Sequence, residues 1–133
     1  MIKKVDHIAI AVKNLEETIK LYDNLFGISP RKIETIPQQG VKAAILPIGA
    51  GCEIEFIQSI DPKGGVAQFI ESRGEGIHHI CFEVDDVDKE LIQLANKGIK
   101  LIDTQGRSGL AGKVGFLHPS STNSVLIELA QKQ

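Results

Sequence analysis

A chain of 133 residues that is 42% hydrophobic and 24% charged has the composition of one folded globular domain and excludes wholesale disorder. The formal net charge of -2 gives no basic excess for a nucleic-acid surface, and no apolar run approaches the ~18 residues of a membrane span. Asp6 and His7 interrupt any signal-peptide core, and Cys52 and Cys81 form no disulfide or metal-finger framework, which points to a reducing cytoplasm.

Residues 5–12, rich in Ile, Val and Ala, read as a first strand. Asn14 then offers an oxygen to the free N–H groups of a helix, and Glu17 is placed to bond back. Leu15, Ile19, Tyr22 and Phe26 fall at helical spacing, Leu25 widens the stripe, and Gly27 ends it. Three strands follow near 30–35, 41–47 and 52–58, punctuated by Pro37 to Gly40 and by Gly49 and Gly51. Residues 64–73 read as a short linking helix. A strand over 77–84 leads to a second helix, capped by Asp85 or Asp86, with Val87, Leu91, Leu94 and Ala95 on one stripe before Gly98. The last strands are expected near 99–102, 113–118 and 124–130.

The two halves repeat each other. Val5-Asp-His-Ile-Ala-Ile-Ala-Val12 matches Ile77-His-His-Ile-Cys-Phe-Glu-Val84 at an offset of 72. The helix-ending Gly27 and Gly98 are offset by 71, and Ile54-Glu-Phe-Ile-Gln58 matches Ile127-Glu-Leu-Ala-Gln131 at 73. The expected organisation is a single α+β domain of two β-α-β-β-β modules, 1–60 and 76–133, joined by 61–75. They pair into a curved, half-open eight-stranded sheet around a metal cleft.

The matched landmarks carry His7 and His79, and Glu55 and Glu128. Paired modules face each other across a pseudo-two-fold axis, so equivalent residues converge there. His7 shares its strand face with Val5 and Ala9, His79 with Ile77 and Cys81, and Glu128 with Leu126 and Ala130. Glu55 is ambiguous, because Glu53 lies on the same face. A carboxylate on an apolar face costs several kcal/mol unless it is paired or coordinated. A divalent cation satisfies two carboxylates and two neutral imidazoles at zero net charge, and an N2O2 set suits Co²⁺, Ni²⁺, Zn²⁺ or Mn²⁺. A lone strand histidine is more often a hydrogen-bonded core residue than a ligand; the joint recurrence of both types argues for metal. His78 matches Asp6 in register and is read as solvent-facing or supporting, and His118 before Pro119 as a turn residue. Arg107 and Lys113, in a glycine-rich loop over 105–113, are either solvated charges or contacts to a substrate carboxylate or a phosphate.

These segments, together with Gly112-Lys-Val-Gly-Phe-Leu-His-Pro119 and Val125-Leu-Ile-Glu-Leu129, resemble the vicinal oxygen chelate (glyoxalase/bleomycin resistance/dioxygenase) superfamily, and within it the methylmalonyl-CoA epimerase family. The resemblance spans nearly the whole chain. It implies a metal, most often cobalt, held by His7, Glu55, His79 and Glu128, an acyl-CoA substrate and a homodimer. It also implies proton transfer at the carbon between thioester and carboxylate, with Glu128 as ligand and catalytic base. Family members often carry a glutamate where this chain has Gln38, inside Pro37-Gln-Gln-Gly-Val41, and a neutral amide takes no proton at pH 7. Gln38 is therefore a substrate-binding candidate, as is Arg107, and the second proton carrier is left to Glu55 or a bound water. The expected function is a metal-dependent epimerase of methylmalonyl-CoA or a similar short-chain acyl-CoA. The alternatives are a glyoxalase I-like lyase and a metal-free ligand-sequestering protein.

Overall fold

The computed structural model describes residues 1–132. It contains eight strands and three α-helices: β1 (Ile2–Ala11), α1 (Leu15–Phe26), β2 (Lys32–Ile36), β3 (Val41–Ile48), β4 (Cys52–Ser59), α2 (Gly65–Arg73), β5 (Gly76–Val84), α3 (Val87–Asn96), β6 (Arg107–Gly109), β7 (Gly112–Leu117) and β8 (Leu126–Gln131). Single 3-10 turns occupy Pro37–Gln39 and Pro119–Ser121. The fold class is α+β, with the strands hydrogen-bonded in the order β2-β3-β4-β1-β5-β8-β7-β6. Two compact units divide the chain: residues 7–78, and residues 1–6 with 79 onward.

In the unit of residues 7–78, β4 is parallel to β1 and antiparallel to β3, which is antiparallel to β2. One face of these strands carries a core of Val12, Leu15, Ala44, Leu46 and Phe56. Tyr22 of α1 meets Phe56 edge to face at 4.6 Å between ring centroids. Asn14 caps α1 by accepting from the Glu17 N–H at 3.0 Å, and Gly27 closes it at φ 67°, a conformation open to glycine at little cost. The apolar stripe runs out early: Leu25 and Phe26 are 57% and 66% exposed, because the core beneath α1 ends at Tyr22 and Ile19.

In the other unit β5 is parallel to β8, and β7 lies antiparallel to β8 and to β6. Asp86 caps α3 through the Lys89 N–H at 3.1 Å, repeating the Asn14 device. The core is Val84, Val87, Leu91, Leu117 and Leu129. Gly115 has no side chain because α3 presses on it: a Cβ there would sit 2.9 Å from Leu91 Cδ1. The strand expected near 99–102 does not form. Leu101 makes one isolated bridge to Leu117, and the β7 partner is instead Arg107–Gly109, from the segment read as a loop. Asp103 explains the exchange: its carboxylate accepts the Phe116 N–H at 2.8 Å, and the carbonyl of Phe116 takes the N–H groups of Ile102 and Asp103, so side-chain and turn bonds replace a ladder.

Candidate metal centre

Each unit contains one buried imidazole–carboxylate pair. Along β1 and β4, Ala9 is in register with Glu55, so His7 and Glu55 lie diagonally on one face. His7 Nε2 is 3.4 Å from Glu55 Oε2, and the residues are 4% and 8% exposed. Glu53, on the same face, has another fate: Arg31 Nη2 donates to it at 2.8 Å, and it is only part-buried. Along β5 and β8, Cys81 is in register with Glu128, giving the same diagonal. His79 Nε2 is 3.3 Å from Glu128 Oε1, and these residues are 6% and 7% exposed.

The donor chemistry fits a divalent ion. His7, Glu55 and His79 are of the types that hold metals, and all three are buried. With metal–N and metal–O bonds of about 2.0–2.2 Å, adjacent donors around one ion stand about 3.0–3.5 Å apart, which is the spacing found within each pair. A dication coordinated by both members of a pair would offset the desolvation cost of a buried carboxylate.

Helix and strand ends repeat as well. Gln58 Oε1 accepts the Leu15 N–H at 2.7 Å at the start of α1, and Gln131 Oε1 accepts the Val87 N–H at 3.0 Å at the start of α3. Both glutamines follow a site glutamate by three residues, so each final strand fixes a glutamate on one face and a helix N-terminus on the other. The 54–58/127–131 match contained this signal, although the role appears only with the folded contacts.

Gln38 lies exposed on the Pro37–Gln39 turn. Arg107 begins β6, and its guanidinium lies over the Phe116 ring, 5.4 Å from the centroid. Phe116 in turn meets His79 edge to face at 5.6 Å. His78 is half-buried against Phe69 at 4.9 Å, whereas Asp6, its repeat partner, is buried with Lys132 at 2.9 Å. His118 has the expected turn role, accepting the Ser120 N–H at 3.1 Å. Lys113 is paired with Asp88. Neither Cys52 nor Cys81 is part of a disulfide among the described residues, and no helix among them is long and apolar enough to cross a membrane.

The sequence profile of the glyoxalase/bleomycin resistance protein/dioxygenase superfamily matches residues 6–117, and the chain belongs to that superfamily. Its relatives include a mitochondrial methylmalonyl-CoA epimerase of Dictyostelium discoideum, 36% identical over 133 residues, covering 98% of this chain and 80% of that protein. An ethylmalonyl-CoA/methylmalonyl-CoA epimerase of Cereibacter sphaeroides is 33% identical, covering 98% of this chain and 99% of that one. A solved structure of a Streptomyces coelicolor methylmalonyl-CoA epimerase variant in complex with 2-nitronate-propionyl-CoA is similar with a TM-score of 0.94 at 30% identity, covering 99% of this chain and 96% of that one. These named relatives are epimerases, a class of isomerase.

Proposed function

We propose that this chain is a metal-dependent epimerase of a short-chain acyl-CoA, with methylmalonyl-CoA as substrate. One observation carries the reading: duplication has produced the same buried His–Glu pair twice, at 3.4 and 3.3 Å. The relatives' names support the substrate class. His7, Glu55, His79 and Glu128 are the candidate ligands of a divalent ion, Co²⁺ foremost and Zn²⁺, Ni²⁺ or Mn²⁺ as alternatives.

When bound, the ion supplies positive charge near the thioester oxygen, where negative charge collects as the α-proton leaves. Glu128 takes that proton, and a positioned base of this kind contributes about 10²–10⁴ in rate. Epimerisation needs a second carrier on the opposite face, and Glu55, its repeat equivalent, is the candidate within the chain. Gln38 serves as a neutral hydrogen-bonding group for substrate, and Arg107 as a cationic one. The expected working form is a homodimer, which rests on family resemblance and is checked by sedimentation, and the expected cytoplasmic address rests on the cysteine usage.

The test is deuterium uptake from heavy water at C2 of methylmalonyl-CoA, after chelator treatment and after adding back each of the four ions. Exchange restored by a divalent ion is expected. Absence of exchange with every ion rejects the reading.

A further inference from the structure

His7 and His79 are equivalent in the repeat, but the residues directly opposite them are not. In register with His79 on β8 is Leu126, which offers no ligand atom. In register with His7 on β4 is Glu53, and Glu55, two residues on, is the diagonal neighbour. The His7 imidazole nevertheless pairs with the diagonal carboxylate, at 3.4 Å. Arg31 accounts for the choice. Its Nη2 donates to Glu53 Oε1 at 2.8 Å and its Nε to Glu53 Oε2, so one guanidinium occupies both oxygens. The Arg31 N–H donates to the Ile45 carbonyl at 2.8 Å, which anchors the residue at its backbone as well. Lys32, the next cation along the chain, is instead paired with Glu34 at 3.2 Å.

The register puts Glu53 and His7 on one face of neighbouring strands, which lie about 5 Å apart. A glutamate so placed, once released from Arg31, is a further anionic oxygen donor for a dication held by His7 and Glu55. A catalytic metal site keeps a coordination position for substrate or water, and an extra protein carboxylate closes it. The second module needs no such restraint, because Leu126 cannot ligate.

We propose that Arg31 is a positioning residue that withholds Glu53 from the metal centre and so keeps a coordination position open for substrate. The proposal rests on the metal-dependent reading above and adds the residue that decides which of two carboxylates on β4 is a ligand. It predicts opposite signs for two quantities. Loss of the arginine tightens metal binding, since a further negative donor joins the ion, and slows turnover, since that donor takes the substrate's place. An ion pair with a structural role alone gives neither change.

The test is calorimetric titration of the metal-free full chain with Co²⁺, beside the visible absorption of the bound ion and deuterium uptake into methylmalonyl-CoA. Arg31→Met, which keeps the bulk and loses every donor, is expected to bind Co²⁺ about tenfold more tightly, to alter the visible bands, and to exchange deuterium at least about tenfold more slowly. Arg31→Lys falls between, since it keeps the charge and loses the fork. Glu53→Ala binds Co²⁺ as the parent does, and the double variant Arg31→Met/Glu53→Ala returns affinity, bands and exchange to parent values. Unchanged or weaker Co²⁺ binding by Arg31→Met overturns the proposal, as does a change that Glu53→Ala does not reverse. Failure of the underlying reading looks different. A parent chain that takes up no Co²⁺ rejects the metal site, and this proposal falls with it. A parent that binds Co²⁺ without exchanging methylmalonyl-CoA rejects the substrate alone, and affinity and bands still decide the role of Arg31.

Discussion

Glu53 and Glu55 occupy one face of β4 and differ in what surrounds them. Arg31 reaches Glu53 at the surface, whereas Glu55 lies under cover beside His7. Glu53→Ala should therefore change stability by less than about 1 kcal/mol, as exposed ion pairs do, and leave Co²⁺ binding intact. Glu55→Ala and Glu128→Ala should each weaken Co²⁺ retention by at least about tenfold, and Glu128→Ala should abolish deuterium exchange, read by metal analysis and mass spectrometry of the substrate. Normal exchange by Glu128→Ala would remove it from the base role. Gln38→Glu should raise turnover by supplying the absent carboxylate, and a loss of turnover would show that this turn does not face the reacting carbon. Asp88 has an acid–base signature of its own: the Lys113 ammonium and the Gly106 N–H hold its carboxyl below the ordinary aspartate range. Because the folded form is the more acidic, the stabilisation is present above the unfolded pKa of about 3.8–3.9 and is lost as pH falls through the folded value. Asp88→Asn should be less stable than the parent at neutral pH, and the difference should vanish in strong acid in denaturant titrations.

At the scale of elements, both long helices begin with one device. Asn14 and Asp86 cap them, and Gln58 and Gln131 take one more N–H each from the end of the last strand of the module. Asn14→Ala and Asp86→Ala should each cost about 1 kcal/mol, and the sum should hold in the double variant because the caps serve separate helices. Contact between α3 and β7 is tighter. Gly115 faces Leu91 and Val87, so Gly115→Val should overpack the interface by about 1–3 kcal/mol, measured by urea unfolding, whereas Ala44, in the corresponding layer under α1, already carries its methyl group. The short β6 belongs here too: Asp103 satisfies the Phe116 N–H from outside the ladder, and the chain then turns back to pair at Arg107.

For the molecule as a whole, the proposed metal site predicts a link between metal binding and folding. If the four buried candidates hold a metal ion they can do so only in the folded chain, so Co²⁺ at a hundred times its Kd should then add about 2.7 kcal/mol of stability. For a domain of this length that corresponds to a rise in Tm of roughly 5–15 °C, which a thermal scan with and without chelator reads. A Tm indifferent to all four ions would count against the site. Truncating the core should act on stability without touching ligand chemistry: Phe56→Ala, at a fully buried position on β4, should cost about 3–5 kcal/mol.

The duplication, the caps, the glycine closing α1 and the four ligand candidates are written in local terms, as residue types at fixed spacing, and a linear reading recovers them. Alternation along a strand already places His7, His79 and Glu128 on faces shared with Ala9, Cys81 and Ala130, which are buried, although Val5 and Ile77 on the same faces are exposed. Which of Glu53 and Glu55 is covered depended on Arg31, distant in sequence and brought close only by the folded sheet. Leu25 and Phe26 carry the same helical periodicity as Leu15, yet they lie past the end of the strands that give α1 its core, and no spacing rule states where that support stops. The strand at 107–109 and the Asp103–Phe116 bond arise from non-local hydrogen bonds competing with local propensity, and that competition is resolved only when the segments meet.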